Sequence, residues 1–192
     1  MARAKGRATY DDLLALPDHV VGEIIGGELI ATPRPASPHA VAGTAIGSDL
    51  FGSYNRPPGG GTGGWWILFE PELHLGADVL VPDVAGWRRE RMPRIPNVPA
   101  FELAPDWVCE IVSPSTERID RARKMAIYAQ VRVEHLWLVN PLIRTLEIYR
   151  LEGEGWKLVT IFAGSEKIRA VPFDAIELEL DRWWIEPEPA AP

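Results

Sequence analysis

The sequence has one cysteine, four histidines and no long apolar run, and each shortage removes a class of protein. Cys109 alone can form neither an internal disulfide nor a zinc site that needs two or more thiolates. The histidines are widely separated along the chain and form no HxxxH pair. No stretch approaches the roughly 18 apolar residues of a membrane span, so no membrane association is expected. The GxSxG motif of many hydrolases and the GxxxxGK[ST] phosphate-binding loop are absent as well.

Positive charge is also in short supply. The 192 residues include 20 Lys and Arg against 27 Asp and Glu, a net charge of −7. This balance argues against a protein that coats nucleic acid through bulk charge, although it leaves room for a local basic groove. The basic start of the chain is followed by Asp11 and Asp12 rather than by the apolar segment of a signal peptide, so we expect a cytoplasmic protein.

Length and composition favour one globular domain. We expect a flexible arm over residues 1–8, the domain over 9–185 and a disordered tail over 186–192. The pattern of apolar residues predicts a mixed α/β or α+β fold, with helices early and in the centre and a late meander of strands. Predicted helices cover 9–16, 37–54 and 116–130. Predicted strands cover 20–25, 28–32, 65–69, 72–75, 79–87, 106–112, 135–139, 145–150, 156–162 and 167–171.

Two carboxylates fall inside apolar strands. Alternation along the strand places Asp83 on one face with Val79 and Val81, and Glu110 on one face with its valine neighbours. Two buried carboxylates on neighbouring strands would repel each other unless a metal ion lies between them. Oxygen ligands favour a hard ion, Mg²⁺ or Mn²⁺. Spacing alone leaves a simpler alternative open, in which Asp83 ends a strand and Glu110 pairs with one arginine.

The predicted central helix is the third element that could carry chemistry. A helical wheel places Ile119, Ala122, Met125, Ala126 and Ala129 on an apolar face. Lys124 lies roughly opposite that face, together with Asp120, Arg121 and Tyr128. This polar face is either solvated and crossed by ion pairs at i,i+4 spacing, or it borders a cleft.

Taken together, several segments resemble the Uma-two family, restriction-endonuclease-like proteins within the PD-(D/E)xK nuclease superfamily. The resemblance covers about residues 9 to 165. The segments that carry it are EIIGGEL (23–29), PRP (33–35), His39, VPD (81–83), PDWVCEIVSPST (105–116), Asp120, Lys124, Tyr128 and EHLWLVNP (134–141). It implies a single restriction-endonuclease-like domain, in which a central mixed sheet is flanked by helices.

The resemblance also implies a set of site residues. Asp83 and Glu110 become the metal-binding carboxylates, with the backbone carbonyl of Val112 as a further ligand. The superfamily's lysine usually lies two residues after the glutamate, a position that Val112 occupies here, so the catalytic lysine is assigned to Lys124 on the helix. The accessory positions are Glu28, His39, Asp120 and Tyr128.

The implied activity is Mg²⁺- or Mn²⁺-dependent hydrolysis of phosphodiester bonds in DNA. Arg88, Arg89 and Arg121 are the expected substrate-binding cations, unless they simply solvate a loop and a helix. Three other functions stay open: a catalytically silent interaction or regulatory module, a metal-dependent hydrolase of a small phosphoester, and a nuclease that needs a partner subunit for targeting. A homodimer would suit the cutting of both strands.

Overall fold

The computed structural model describes residues 6–55 and 62–185. Most of the predicted arm, the predicted tail and residues 56–61 lie outside these ranges, so the domain bounds stay a prediction. Within the described ranges, no helix is long and apolar enough to cross a membrane. The helices are α1 (Tyr10–Leu14), α2 (Ser37–Tyr54), α3 (Glu117–Ile119), a π-helical segment (Asp120–Lys124), α4 (Met125–Gln130) and a 3₁₀ helix (Leu180–Trp183). The strands are β1 (Val20–Ile25), β2 (Glu28–Pro33), β3 (Trp65–Phe69), β4 (Leu73–Leu75), β5 (Asp78–Leu80), β6 (Val84–Arg88), β7 (Trp107–Ile111), β8 (His135–Asn140), β9 (Thr145–Glu152), β10 (Gly155–Ala163), β11 (Lys167–Ile168) and β12 (Leu178–Glu179).

Two main sheets form the framework. The larger has six strands in the order β10-β9-β8-β7-β6-β3, and the smaller has four in the order β2-β1-β5-β4. In the larger sheet β7 and β8 are parallel, and the chain between them forms the central helix; the other pairs are antiparallel. A parallel pair requires such a crossover, because a tight turn joins only antiparallel strands. The predicted mixed α/β architecture is confirmed.

Local sequence explains the first elements of the fold. Thr9 and Asp12 form a reciprocal capping box at the start of α1. Gly26 and Gly27 join β1 to β2 with φ angles of 62° and 81°, the left-handed backbone of a two-residue hairpin turn. The α2 helix begins at Ser37 as predicted, but its capping residue is Ala36, and no side chain caps it. Pro38 is accommodated in the first turn, where no intrahelical donor is needed.

Strand β7 divides the core into two clusters. Trp107, Cys109 and Ile111 point to one side and pack in a cluster that also contains Trp183. Val108, which lies between them in the sequence, packs in the other cluster, as alternation along a strand requires. Cys109 is buried on the face of β7 opposite Glu110. Trp183 and the adjacent Trp184 are buried in the first cluster and therefore pack inside the domain.

The predicted strand over 79–87 is wrong as one element. It is two strands, because β5 belongs to the small sheet and β6 to the large one. Between them Pro82 has no N–H to donate to a ladder, which favours a break. Asp83 therefore lies where the chain passes from one sheet to the other. It does not lie on a strand face with Val79 and Val81.

The predicted apolar face of the central helix is right for Ile119, Met125 and Ala129, which pack in or against the core, and wrong for its other two members. Ala122 and Ala126 are exposed, whereas Asp120, Lys124 and Tyr128 are buried. The cause is the π-helical segment, in which the N–H that follows Lys124 reaches back five residues to the carbonyl of Asp120. The wider turn changes which side chains align, so a wheel of 3.6 residues per turn no longer applies.

Candidate active site

A cavity of about 390 Å³ lies where the two sheets and the central helix meet. The register that pairs Val84 with Cys109 places Asp83 beside Glu110 at this junction. The charged and titratable residues that line the cavity are Glu23, Arg34, His39, Glu70, Asp83, Glu110, Asp120 and Lys124. The predicted residues Asp83, Glu110, Val112, Lys124, His39 and Asp120 are thus brought together on one cavity, and the alternative of a solvated lysine face is excluded by burial.

Both oxygens of Asp83 have partners. Its Oδ2 accepts the N–H of Ile111 at 2.7 Å, and its Oδ1 lies 3.1 Å from His39 Nε2. His39 belongs to the first turn of α2, and both side chains are only 15% exposed. Burial acts to lower the pKa of His39, but the hydrogen bond and charge of Asp83, together with other carboxylates, outweigh it and raise the pKa. These contacts hold the Asp83 carboxylate at the rim of β6.

Glu110 lies deeper in the cavity. Its Oε1 accepts the hydroxyl proton of Tyr128 at 2.6 Å and lies 2.8 Å from Lys124 Nζ. Burial raises the pKa of the Glu110 carboxyl well above its ordinary value, and neighbouring carboxylates add to the rise against the opposing charge of Lys124. Tyr128 does not line the cavity, but it touches the carboxylate that does.

Lys124 is a buried ammonium surrounded by carboxylates. Its Nζ lies 2.8 Å from Glu110, 3.0 Å from Glu23 and 3.7 Å from Asp120. Burial acts to lower the pKa of Lys124, but Glu110 and Glu23 outweigh it and hold the pKa well above the ordinary value. Burial also raises the pKa of Asp120. The pocket thus holds several carboxylates around one lysine.

Sequence reasoning missed Glu23 and placed Glu28 in its stead. Glu28 is 71% exposed and pairs with Arg123 outside the cavity, whereas the side chain of Glu23 is buried in it. The signal was available, because Glu23 is an acidic residue within the apolar strand β1, as Glu110 is within β7.

The three predicted substrate-binding arginines do not line the cavity. Arg121 pairs with Glu147 and Glu117. Arg89 stacks 3.5 Å above the Trp66 ring, and Arg88 lies 4.7 Å above the Trp65 ring. Among the described residues that line the cavity, Arg34 is the single arginine, and its side chain is 61% exposed.

Comparison with known proteins identifies the family of this chain. Residues 8–181 match the Uma2 family, described as "Putative restriction endonuclease". The chain belongs to the Uma2 family. A crystal structure of a "putative nuclease belonging to DUF820" from Anabaena variabilis superposes with a TM-score of 0.72 over 92% of this chain and 97% of that one. Its sequence identity is 23%, so the likeness is one of fold. Together with the family match, this likeness confirms the restriction-endonuclease-like fold. The search of curated proteins found no match.

The cavity of this Uma2 chain has the ligand chemistry of a hard metal ion. Its donors are carboxylate oxygens, which Mg²⁺ and Mn²⁺ prefer. Within residues 6–55 and 62–185, no three His, Cys, Asp or Glu side chains are arranged to hold an ion by themselves. Asp83 and Glu110 could hold one together with a backbone oxygen such as that of Val112, which lines the same cavity. Five carboxylates line the cavity, against one lysine and one arginine among the described lining residues, and a divalent cation would offset this excess of negative charge. The residues therefore fit such an ion.

Proposed function

We propose that this protein is a nuclease that hydrolyses phosphodiester bonds in DNA with Mg²⁺ or Mn²⁺. The observation that carries the proposal is the contact of 2.8 Å between Lys124 Nζ and Glu110 Oε1 in the cavity that Asp83 also lines. An acid pair beside a buried ammonium is the set of groups that the PD-(D/E)xK pattern requires, although the lysine comes from a helix here. The family description supports the same reaction class.

In this proposal each residue of the site has its own role in hydrolysis. Asp83 and Glu110 would hold the ion, whose chemistry is to polarise a phosphoryl oxygen and acidify a water. Lys124 orients the attacking water or stabilises the negative charge that develops on phosphorus. Tyr128 fixes Glu110 through its hydroxyl proton, and His39 fixes Asp83. These contacts reduce the reorganisation that the site needs before reaction.

A supercoiled-plasmid nicking assay tests this proposal. We expect the wild-type protein to nick DNA in the presence of Mg²⁺ or Mn²⁺, and we expect EDTA to abolish nicking. Asp83→Asn should reduce nicking to the EDTA level. Asp106→Asn is the matched control, because the Asp106 carboxylate is also buried and accepts a backbone N–H at 2.7 Å, but it lies outside the cavity. It should keep the wild-type rate at a temperature where both variants are folded.

Three results would count against the proposal. Nicking that survives EDTA, or that Asp83→Asn retains, would contradict the assigned site. If the wild type leaves DNA intact, titration calorimetry with Mn²⁺ decides between alternatives. Binding without cleavage would favour a partner-dependent nuclease or a different substrate, whereas no binding would favour the catalytically silent interaction module. The cytoplasmic location, the homodimer and the targeting subunit stay predictions.

A second candidate is a metal-dependent hydrolase of a small phosphoester. Two observations favour it: the cavity volume of about 390 Å³ is in the range of small-molecule sites, and Arg34 is the single arginine among the described lining residues. A duplex held mainly by phosphate contacts would need more cations than that. Competition separates the two functions, because short oligonucleotides should inhibit a nuclease far better than mononucleotides do. Equal inhibition by both would favour the small substrate.

A further inference from the structure

One carboxylate oxygen joins two parts of the site. Oε1 of Glu23 accepts the N–H of Val81 at 2.8 Å and lies 3.0 Å from Lys124 Nζ. The Glu23 side chain is only 8% exposed, so water contributes little to holding it. Glu23 lies on β1 in the small sheet, whereas Glu110 lies on β7 in the large one.

The two contacts of Glu23 lead to different catalytic groups. Val81 precedes Asp83 by two residues, in the segment that passes between the sheets. Lys124 comes from the central helix and is shared with Glu110. A single side chain therefore fixes the chain that presents Asp83 and the ammonium that faces Glu110.

We propose that Glu23 is a positioning residue of the active site, which sets Lys124 and the Asp83 segment relative to each other through its Oε1. The inference rests on the proposed function and adds a residue to it. Without Glu23, Lys124 keeps Glu110 at 2.8 Å and Asp120 at 3.7 Å as partners, so the ammonium would shift toward them. The Val81 amide would lose its acceptor at the same time.

Steady-state nicking kinetics with three variants test the role. Glu23→Ala removes both contacts, whereas Glu23→Gln keeps an oxygen that can accept the Val81 N–H. A displaced catalytic group costs up to about 10²-fold in rate, so Glu23→Ala should lower kcat by about that factor. The KM should stay within about twofold, because substrate contacts are unchanged. Glu23→Gln should recover part of the lost kcat.

Asp106→Asn is again the matched control. Asp106 accepts the backbone N–H of Arg88 and pairs with Arg91 at 2.9 Å, which repeats the pattern of Glu23 outside the cavity. If both residues serve only stability, both variants should lower the melting temperature and leave kcat alone. Equal losses of kcat in Glu23→Ala and Asp106→Asn, or a wild-type kcat in Glu23→Ala, would overturn the positioning role.

Lysine acetylation, followed by mass spectrometry, tests the inference without any nuclease activity. The chain has four lysines, and Lys124 is 4% exposed whereas Lys157 is 63% exposed. In the wild type Lys124 should react far more slowly than Lys157. In folded Glu23→Ala its rate should rise relative to Lys157, and in Asp106→Asn it should not. Unchanged protection in Glu23→Ala would overturn the inference even if the wild type cleaves DNA, and raised reactivity would support it even if the wild type does not.

Discussion

Replacement of Lys124 by methionine tests the electrostatic balance of the cavity. Methionine keeps most of the side-chain volume but removes the Lys124 ammonium, which lies among Glu110, Glu23 and Asp120. The carboxylates are buried and lose their shared cation, while little else in the packing changes. We therefore expect the free energy of unfolding to fall, because buried carboxylates are left without a compensating cation.

The magnitude of this loss follows from the burial of Lys124 and Glu110, whose side chains are 4% and 3% exposed. Removing one partner of a buried ion pair typically costs about 3–5 kcal/mol of unfolding free energy. For a domain of this size, that loss corresponds to a fall in melting temperature of about 6–20 °C. The matched control is Lys157→Met, whose pair with Glu152 is more than half exposed on both sides. An exposed pair of this kind contributes at most about 1 kcal/mol.

The destabilisation should depend on pH with a definite sign. Burial raises the pKa of Glu110 and of Asp120 in the folded protein, and Lys124 opposes both rises. Its removal raises them further, so the folded variant retains protons that the unfolded chain releases. The stability that these protons confer is complete below the ordinary carboxyl pKa and is lost as the pH rises through the raised pKa values. Lys124→Met should therefore lose more stability at about pH 8 than at about pH 5.

Urea unfolding of wild type, Lys124→Met and Lys157→Met at both pH values measures this effect. Adding Glu110→Gln to Lys124→Met should restore part of the loss, because it neutralises one of the stranded carboxylates. A loss in Lys124→Met that equals that of Lys157→Met would refute the buried-charge argument. An equal loss of stability in Lys124→Met at the two pH values would also refute it.

Two further substitutions test other contacts by urea unfolding. Tyr128→Phe removes the proton donated to Glu110 and should cost about 1–3 kcal/mol, since the carboxylate oxygen loses a buried partner; an unchanged stability would contradict that contact. Gly43→Ala and Gly47→Ala form a matched pair on α2: a Cβ at Gly43 would lie 3.1–3.2 Å from two side chains, whereas one at Gly47 meets nothing within 4 Å. The first should destabilise by about 1 kcal/mol. The second should stabilise by about 0.5–1 kcal/mol, and the opposite order would refute the packing.

Much of the fold could be predicted because the deciding interactions are local in the sequence. Alternation along β7 places Glu110 and Cys109 on opposite faces, and the Gly26-Gly27 pair favours a two-residue hairpin turn. Both follow from backbone geometry within a few residues. The split between β5 and β6 was not predicted, because both halves look like strand and their sheets differ only in tertiary structure.

The candidate site likewise has residues that could be predicted from the sequence and positions that depend on tertiary structure. Asp83, Glu110 and Lys124 could be named from motifs, and the structure brings them together on one cavity. The burial of Lys124 depends on a π-helical segment, which a wheel of 3.6 residues per turn cannot represent. Arg88, Arg89 and Arg121 have aromatic or acidic neighbours that are distant in the sequence, so their positions away from the cavity could not be read from charge alone.

The initial rate of plasmid nicking by Glu110→Gln in Mg²⁺, relative to the wild type, tests whether Glu110 belongs to a metal-dependent nuclease site. The substitution is nearly isosteric, and the amide can still accept the hydroxyl proton of Tyr128, so the fold should survive. Far-ultraviolet circular dichroism and the melting temperature are the controls for folding of the variant. If Glu110 holds the metal ion, folded Glu110→Gln should nick DNA no faster than the wild type does in EDTA. A folded Glu110→Gln that retains the wild-type rate in Mg²⁺ would contradict it.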